Sequence, residues 1–173
     1  MTMKNSLFAL ILALVFAACA SSERLNQLVL SPEQSSKKGF TAEQGSTLKN
    51  PASGKTRIYA IRQNAEQGKD IAYPLYYQYE PTIENGELTI EELDENATIG
   101  VLKNGTSYSR DLDAGKPLLL FTGKDSFTSY VVFTPEADKI YCVRASVQNE
   151  SGLYDNLNLE LVDKKRCEKL FGK

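Results

Sequence analysis

Three cysteines, Cys19, Cys142 and Cys167, hold most of the chemistry open to this chain, and none of its 173 residues is a histidine to assist them. Without imidazole there is no Ser-His-Asp or Cys-His activation of a nucleophile, no HExxH zinc site and no His-ligated metal or haem. Cys142 and Cys167 form an even pair whose natural use in an exported chain is a disulfide. Closing that loop of 25 residues would constrain the unfolded chain by about 3 to 4 kcal/mol. Two buried thiols are the alternative, and a two-cysteine metal site would have no histidine to complete its shell. No metal and no cofactor is expected.

Other residue clusters are surface candidates. Tyr73, Tyr76, Tyr77 and Tyr79 lie in one extended run, AYPLYYQY, so aromatic rings must emerge on both of its faces. Some would then be open to a partner protein or a sugar, against core and rim packing as the plain account. Pro74 confines that strand to a sheet edge or a bulge, and an edge invites strand addition. Between residues 84 and 95 stand Glu84, Glu87, Glu91, Glu92, Asp94 and Glu95 with no basic residue among them, a solvated edge or a cation or basic-partner surface. Lys164, Lys165, Arg166 and Lys169 make a basic cluster near the C-terminus that would simply end a helix or meet anionic lipid heads. Apparent catalytic motifs fail on context. Ser53-Gly54-Lys55-Thr56 lacks the first glycine and the preceding strand of a phosphate loop, and the Ser-x-x-Lys spacings at Ser35 and Ser46 lack their partner motifs. A hydrolase working with two carboxylates needs no histidine, but no pair of motifs supports one.

The N-terminus supplies an address. Lys4 precedes an apolar run, Leu7 to Phe16, and the small residues Ala17-Ala18 follow, which is the pattern of a signal peptide over residues 1–18. The run is too short to span a bilayer, which takes roughly 20 apolar residues. Phe16-Ala17-Ala18-Cys19 resembles the lipobox of bacterial lipoprotein precursors. That resemblance implies cleavage before Cys19, a diacylglycerol on its thiol and a further acyl chain such as palmitate on its new amino group, an anchor far firmer than a single chain. Ala20 and Ser21 stand where an aspartate would imply retention in the inner membrane, so the implied destination is the outer membrane, facing the periplasm.

Cleavage removes Lys4, leaving 19 of the 20 basic residues against 22 acidic ones, a net charge of -3. Such a chain is not a nucleic-acid binder. From Cys19 to Lys55 the composition is that of a flexible tether, with an r.m.s. span on the order of 30 to 35 Å. Only Leu25 to Leu30 interrupts it, as a short strand or an interaction segment. Beyond residue 55 short β-branched and aromatic runs recur at 56–62, 71–79, 88–90, 98–103, 106–112, 117–121, 127–134, 139–147 and 157–162. The spacing predicts a mostly β domain over 56–173, a single β-sandwich (immunoglobulin- or transthyretin-like) or an open barrel, with a short helix over 163–171. Asn104-Gly105 predicts a type I′ hairpin joining 100–103 to 107–110, and turns are expected at 113–116 and 135–138. In 139–147 the alternation puts Tyr141, Val143, Ala145 and Val147 on a core face and Cys142 on the other, where a segment carrying Cys167 would be pinned.

The set Arg57-Ile58-Tyr59-Ala60-Ile61-Arg62, Ile99-Gly100-Val101-Leu102-Lys103-Asn104-Gly105-Thr106-Ser107-Tyr108, Leu112-Asp113-Ala114-Gly115-Lys116 and Lys139-Ile140-Tyr141-Cys142-Val143-Arg144 resembles a group of small bacterial lipoproteins. Their shared β-sandwich domain has no established activity. The resemblance covers residues 56–147, departs over 70–97, and implies a fold and no catalytic residue. The expectation is therefore an outer-membrane lipoprotein, not an enzyme, whose β-domain docks onto another envelope component, with the membrane as one partner and an envelope protein as the other. A glycan-binding or enzyme-inhibiting module using the tyrosine strand is the alternative.

Overall fold

The nine runs beyond residue 55 all contain strands, and their alternation decides which sheet face each side chain takes. The computed structural model describes residues 27–66, 69–84, 87–89, 94, 96–122, 129–149 and 155–172. In chain order the elements are β1 (Gln27–Val29), α1 (Pro32–Lys38), β2 (Lys55–Arg62), β3 (Tyr73–Tyr79), β4 (Thr82–Glu84), β5 (Glu87–Thr89), β6 (Thr98–Leu102), β7 (Ser107–Asp113), β8 (Leu118–Thr122), β9 (Ser129–Phe133), β10 (Ile140–Asn149), β11 (Asp155–Val162) and α2 (Lys164–Phe171). One sheet runs β1-β9-β8-β3-β6, a second runs β11-β10-β2-β7, and β4 with β5 forms a separate hairpin. Both large sheets end in edge strands, so the fold is a β-sandwich and not a closed barrel. Among the described residues no helix is long and apolar enough to cross a membrane.

The core lies between the sheets. Tyr141, Val143 and Ala145 of β10 are buried there, with Val147 partly so, and Leu161, Leu159 and Leu157 of β11 stand opposite the last three. Ile58 and Ala60 of β2 join them from the same sheet, and Leu75, Leu118, Leu120, Val131 and Phe133 meet them from the other. Burying each such side chain is worth about 1.5 to 3 kcal/mol.

The turn at Asn104-Gly105 does not make a hairpin. It joins β6 of one sheet to β7 of the other. Gly105 has φ +72° while Asn104 stays at negative φ, and Thr106 N donates to Lys103 O at 3.1 Å. Those are the signs of a type II turn, which splays its flanking strands where type I′ would pair them. The turns at 113–116 and 135–138 likewise pass from sheet to sheet, so the sandwich is stitched together across its ends.

Residues 27–55 are no tether. They form a strap folded onto the sandwich. β1 takes the strand option for the apolar segment, pairing in parallel with β9, and Leu30 N donates to Val132 O at 2.8 Å. Ser31 then caps α1 in a full capping box with Gln34, and Pro32 opens the helix. Ser35, fully buried, accepts from Thr134 N through its hydroxyl. Phe40 and Ile140 exchange backbone hydrogen bonds of 3.1 and 2.7 Å, and the side chains of Phe40 and Leu48 are buried. Between Ser35 and Phe40 the strap crosses the Tyr141 ring at Gly39, where a Cβ would lie 2.6 Å from the Tyr141 hydroxyl oxygen. Sparse apolar residues suffice here because each lands on a place the sandwich leaves open. Among the described residues the core clusters draw their members from Leu30 to Phe171, all of which a chain beginning at Ala20 retains. Residues 1–18, where a signal peptide is expected, and Cys19 lie outside the described residues.

The strap is also held by charge. Arg57 Nη2 donates to Asp111 Oδ2 at 2.8 Å, Ala52 N donates to the same oxygen at 3.1 Å, and Arg57 Nη1 reaches Lys49 O at 3.3 Å. The Arg57 guanidinium bonded to Asp111 holds its carboxyl below the usual carboxylate range. A depressed carboxylate stabilises the folded state above its unfolded pKa and loses that contribution as pH falls through the folded one.

Two outcomes follow. A chain beginning at Thr56, the boundary that composition suggests, uncovers Tyr59, Ile140, Cys142 and Val162 and forfeits about 3 to 6 kcal/mol from Phe40 and Leu48 alone. It should be insoluble or melt far below a chain beginning at Gln27, and equal melting by circular dichroism would show the strap to be dispensable. Asp111→Asn should lose about 1 to 2 kcal/mol at neutral pH. Because the stabilisation it removes is the one lost in acid, its deficit against the parent should shrink as pH falls below about 4, read from denaturant midpoints across pH.

Candidate functional site

Alternation along β3 sends Tyr73, Leu75, Tyr77 and Tyr79 toward the core and Tyr76 to the outer face. Each inward tyrosine has structural work. The Tyr73 ring lies 5.0 Å beneath the guanidinium of Arg62, which is 1% exposed and donates to the carbonyls of Ile71 and Leu102. Arg110 stands 5.2 Å over Tyr77, which meets Tyr79 edge to face at 5.8 Å. The Tyr79 hydroxyl accepts from Asp113 N at 2.7 Å, tying β3 to β7, and burial raises its pKa. Tyr76 packs beside Phe121 at 5.5 Å on the outer face, near Leu88 of β5.

β3 is not an edge strand. β8 pairs with it over Tyr76–Tyr79 and β6 over Tyr73–Tyr76, with a bulge between Leu75 and Tyr76. Pro74 sits one residue from that bulge, opposite Val101 and beyond the β8 pairing, so its missing N–H is accommodated inside the sheet. Strand addition at β3 is therefore closed. What the bulge leaves is a cleft of about 330 Å³ lined by Tyr76, Tyr77, Gln78, Tyr79, Phe121, Ala97 and Asp94. It combines aromatic surface with a carboxylate and an amide. Of the acidic segment, Asp94 lines this cleft; Glu91, Glu92 and Glu95 and the side chains of Glu84 and Glu87 lie outside what is described. Among the described residues no group of three cysteine or carboxylate side chains is arranged to hold a metal ion.

A second concave surface lies on the outer face of the four-stranded sheet. Asp163 caps α2 by accepting from Arg166 N at 2.9 Å, which sets the helix across β10. Cys142 and Cys167, both fully buried, are joined there as a disulfide with Cα atoms 5.9 Å apart. Around them close Phe40, Leu48, Tyr59, Ile140 and Val162, and Phe171 sets its ring edge-on to Tyr59 at 5.2 Å. The basic cluster is divided by this placement. Lys164 turns to the strap and pairs with Glu43 at 2.6 Å. Lys165, Arg166 and Lys169 line a groove of about 600 Å³ with Gln63, Arg144, Asp163 and Leu170. Arg144 was not evident as a site residue from the sequence. The signal was there, since it stands two residues after Cys142 and alternation gives the two the same outer face.

Comparison of the chain with protein-family models, curated proteins and solved structures yields no match.

Replacing both Cys142 and Cys167 by alanine removes a constraint of about 3 to 4 kcal/mol, equivalent to a fall of roughly 10 °C in Tm for a domain of this size. Calorimetry of the variant, and of the parent with and without reductant, checks this. The same variant should free α2, so amide exchange over 164–171 should rise well before exchange in β8 and β9.

Proposed function

We propose that this chain is a bacterial outer-membrane lipoprotein, acylated at Cys19, whose periplasmic β-sandwich docks onto another envelope component through the tyrosine cleft of β3. Its work is binding and not bond-making. The cleft carries the reading. It is an open, bulge-framed surface in which Tyr76 and Phe121 stand side by side with Gln78 and Asp94, and aromatic residues flanked by hydrogen-bonding groups are what docking surfaces concentrate. The lipobox-like Phe16-Ala17-Ala18-Cys19 supports the anchor, and the strap supports the manner of presentation. With residues 27–55 folded back, only residues 20–26 separate Cys19 from β1, a reach of at most about 29 Å. The sandwich is then held against the membrane instead of swinging from it.

The same cleft favours a second reading. A tilted pair of aromatic rings beside an amide and a carboxylate also suits the face and hydroxyls of a sugar, which makes a glycan-binding or enzyme-inhibiting module the alternative.

Crosslinking in intact cells, affinity purification of the full chain and mass spectrometry test both, with Cys19→Ala and Tyr76→Ala copies alongside. One envelope protein should be recovered with the parent, be lost with Cys19→Ala, and fall by about thirty-fold with Tyr76→Ala, the loss expected of a binding hot spot of roughly 2 kcal/mol. Tyr76 is the better probe than Tyr79, whose hydroxyl and ring hold β3 in place. A recovered glycan would shift the reading to the alternative, and recovery of the same species with all three copies would defeat docking through the cleft.

A further inference from the structure

We infer that the groove between α2 and β10 is a binding site for anionic phosphate headgroups, by which the sandwich seats itself on the surface of a lipid bilayer. The argument begins with charge. Four cations line or enter the groove, Arg144, Lys165, Arg166 and Lys169, in a chain whose formal charge is negative. Two carboxylates share the site, and both are committed. Glu160 gives one oxygen to Arg144 Nη2 at 2.8 Å and the other to Arg166 Nη1 at 2.8 Å. Asp163 is taken by the helix cap. Glu160 thus fixes two guanidinium groups without neutralising them, and Lys165 and Lys169 pair with no carboxylate among the described residues. A concave surface carrying about two surplus positive charges, with planar N–H donors already oriented, is what a phosphate recognises.

Size and position select the source of that phosphate. A volume of about 600 Å³ falls within the range of sites that enclose whole small molecules, which run from about 300 to 1,000 Å³, and so leaves room for a headgroup around its phosphate. The apolar side chain of Leu170 lies in the same lining. The groove also stands at a particular end of the sandwich. Gln63 follows directly on Arg62, the last residue of β2, and Arg144 pairs with Ile61 one step inward. β1 begins at that same end, because Gln27 is in register with Tyr130, next to the start of β9, and the turn at 103–106 links both sheets there. Gln27, the first residue of β1, therefore lies at the same end of the sandwich as Gln63 of the groove. This placement rests on the anchored reading. The chemistry of the groove does not.

The test uses the chain from Ala20 onward, which retains every core residue among those described, in cosedimentation with vesicles. Vesicles of phosphatidylglycerol mixed with phosphatidylcholine should carry the protein down, pure phosphatidylcholine vesicles should not, and added salt should release it. Lys165→Ala with Lys169→Ala should weaken the partition by about thirty-fold, at the usual contribution of a lysine near an anionic surface. Lys37→Ala with Lys116→Ala, which alters lysines far from the groove, should leave it unchanged. Equal loss from both pairs, equal binding to both vesicle types, or no binding to either overturns the proposal. So does saturable binding of inorganic phosphate that needs Lys165 and Lys169 without any vesicle binding, which would assign the groove to free phosphate. Binding of an acidic protein at these lysines without vesicle binding overturns it as well. The outcome is independent of the cleft, since failure on vesicles leaves the Tyr76 crosslink untouched, and failure of acylation at Cys19 leaves the vesicle result standing.

Discussion

The outer face of β10 is the constraint on which the rest of the molecule depends. This strand lies inside its sheet, between β11 and β2, and over Ile140, Tyr141, Cys142 and Val143 it is apolar on both sides. Tyr141, Val143 and Ala145 fill the interior of the sandwich, while Ile140 and Cys142 face the other way and would sit in water if nothing covered them. Two segments distant in sequence provide the cover. The strap brings Phe40 and Leu48, and α2 brings Cys167 and Phe171. The disulfide makes that cover permanent, and it sits at the centre of the second core instead of at a loop tip. One strand thereby decides where both ends of the domain go.

Tyr141 couples these layers. Its ring packs on Phe133 inside the sandwich at 5.1 Å, and its hydroxyl accepts from Glu136 N at 3.0 Å in the turn that carries β9 into β10. Burial raises the pKa of that hydroxyl, so it stays a neutral hydrogen-bonding group at neutral pH. Gly39 passes directly over it. A similar economy closes the far edge, where a Cβ on Gly100 would meet the ring of Tyr108 at 2.4 Å and Arg110 donates to Thr98 O. The two sheets are joined at that edge by side chains crossing between them, since β6 and β7 share no ladder.

How legible this was in the sequence differs by element, for physical reasons. The strands from β2 onward and α2 could be read because period-two alternation is a local property, and Cys142 could be placed opposite Cys167 on the same ground. Pairing could not, because it depends on which sheet a strand joins. Asn104-Gly105 satisfies two turn types with opposite consequences, and only the sign of φ at Asn104 separates a hairpin from a crossing. The strap escaped because its composition resembles a tether. Its few apolar residues, Leu30, Phe40 and Leu48, show no period, since each fills a separate gap. A local sign was present in Ser31-Pro32-Glu33-Gln34, which is a capping box with proline at the first helical position. Pro74 allows an edge or a bulge, and it stands beside the bulge in a strand flanked on both sides.

The division of labour between the two concave surfaces follows from that architecture. The cleft belongs to the five-stranded sheet and the groove to the outer face of the four-stranded one, so a ligand in either leaves the other free. Their chemistry is also opposed, one aromatic with a carboxylate and the other cationic around a shared glutamate. Under the anchored reading a reach of at most about 29 Å is too short to let the sandwich tumble freely, so a weak surface contact is enough to fix its orientation. A tethered contact acts at high effective concentration, and two or three exposed cations then suffice where a free protein would need many more. If the groove seats on a bilayer, the tyrosine cleft, which belongs to the other sheet, faces away from it. The disulfide that closes the second core is also what keeps Lys165, Arg166 and Lys169 beside Arg144, so the stability of α2 and the geometry of the groove are one property of the fold.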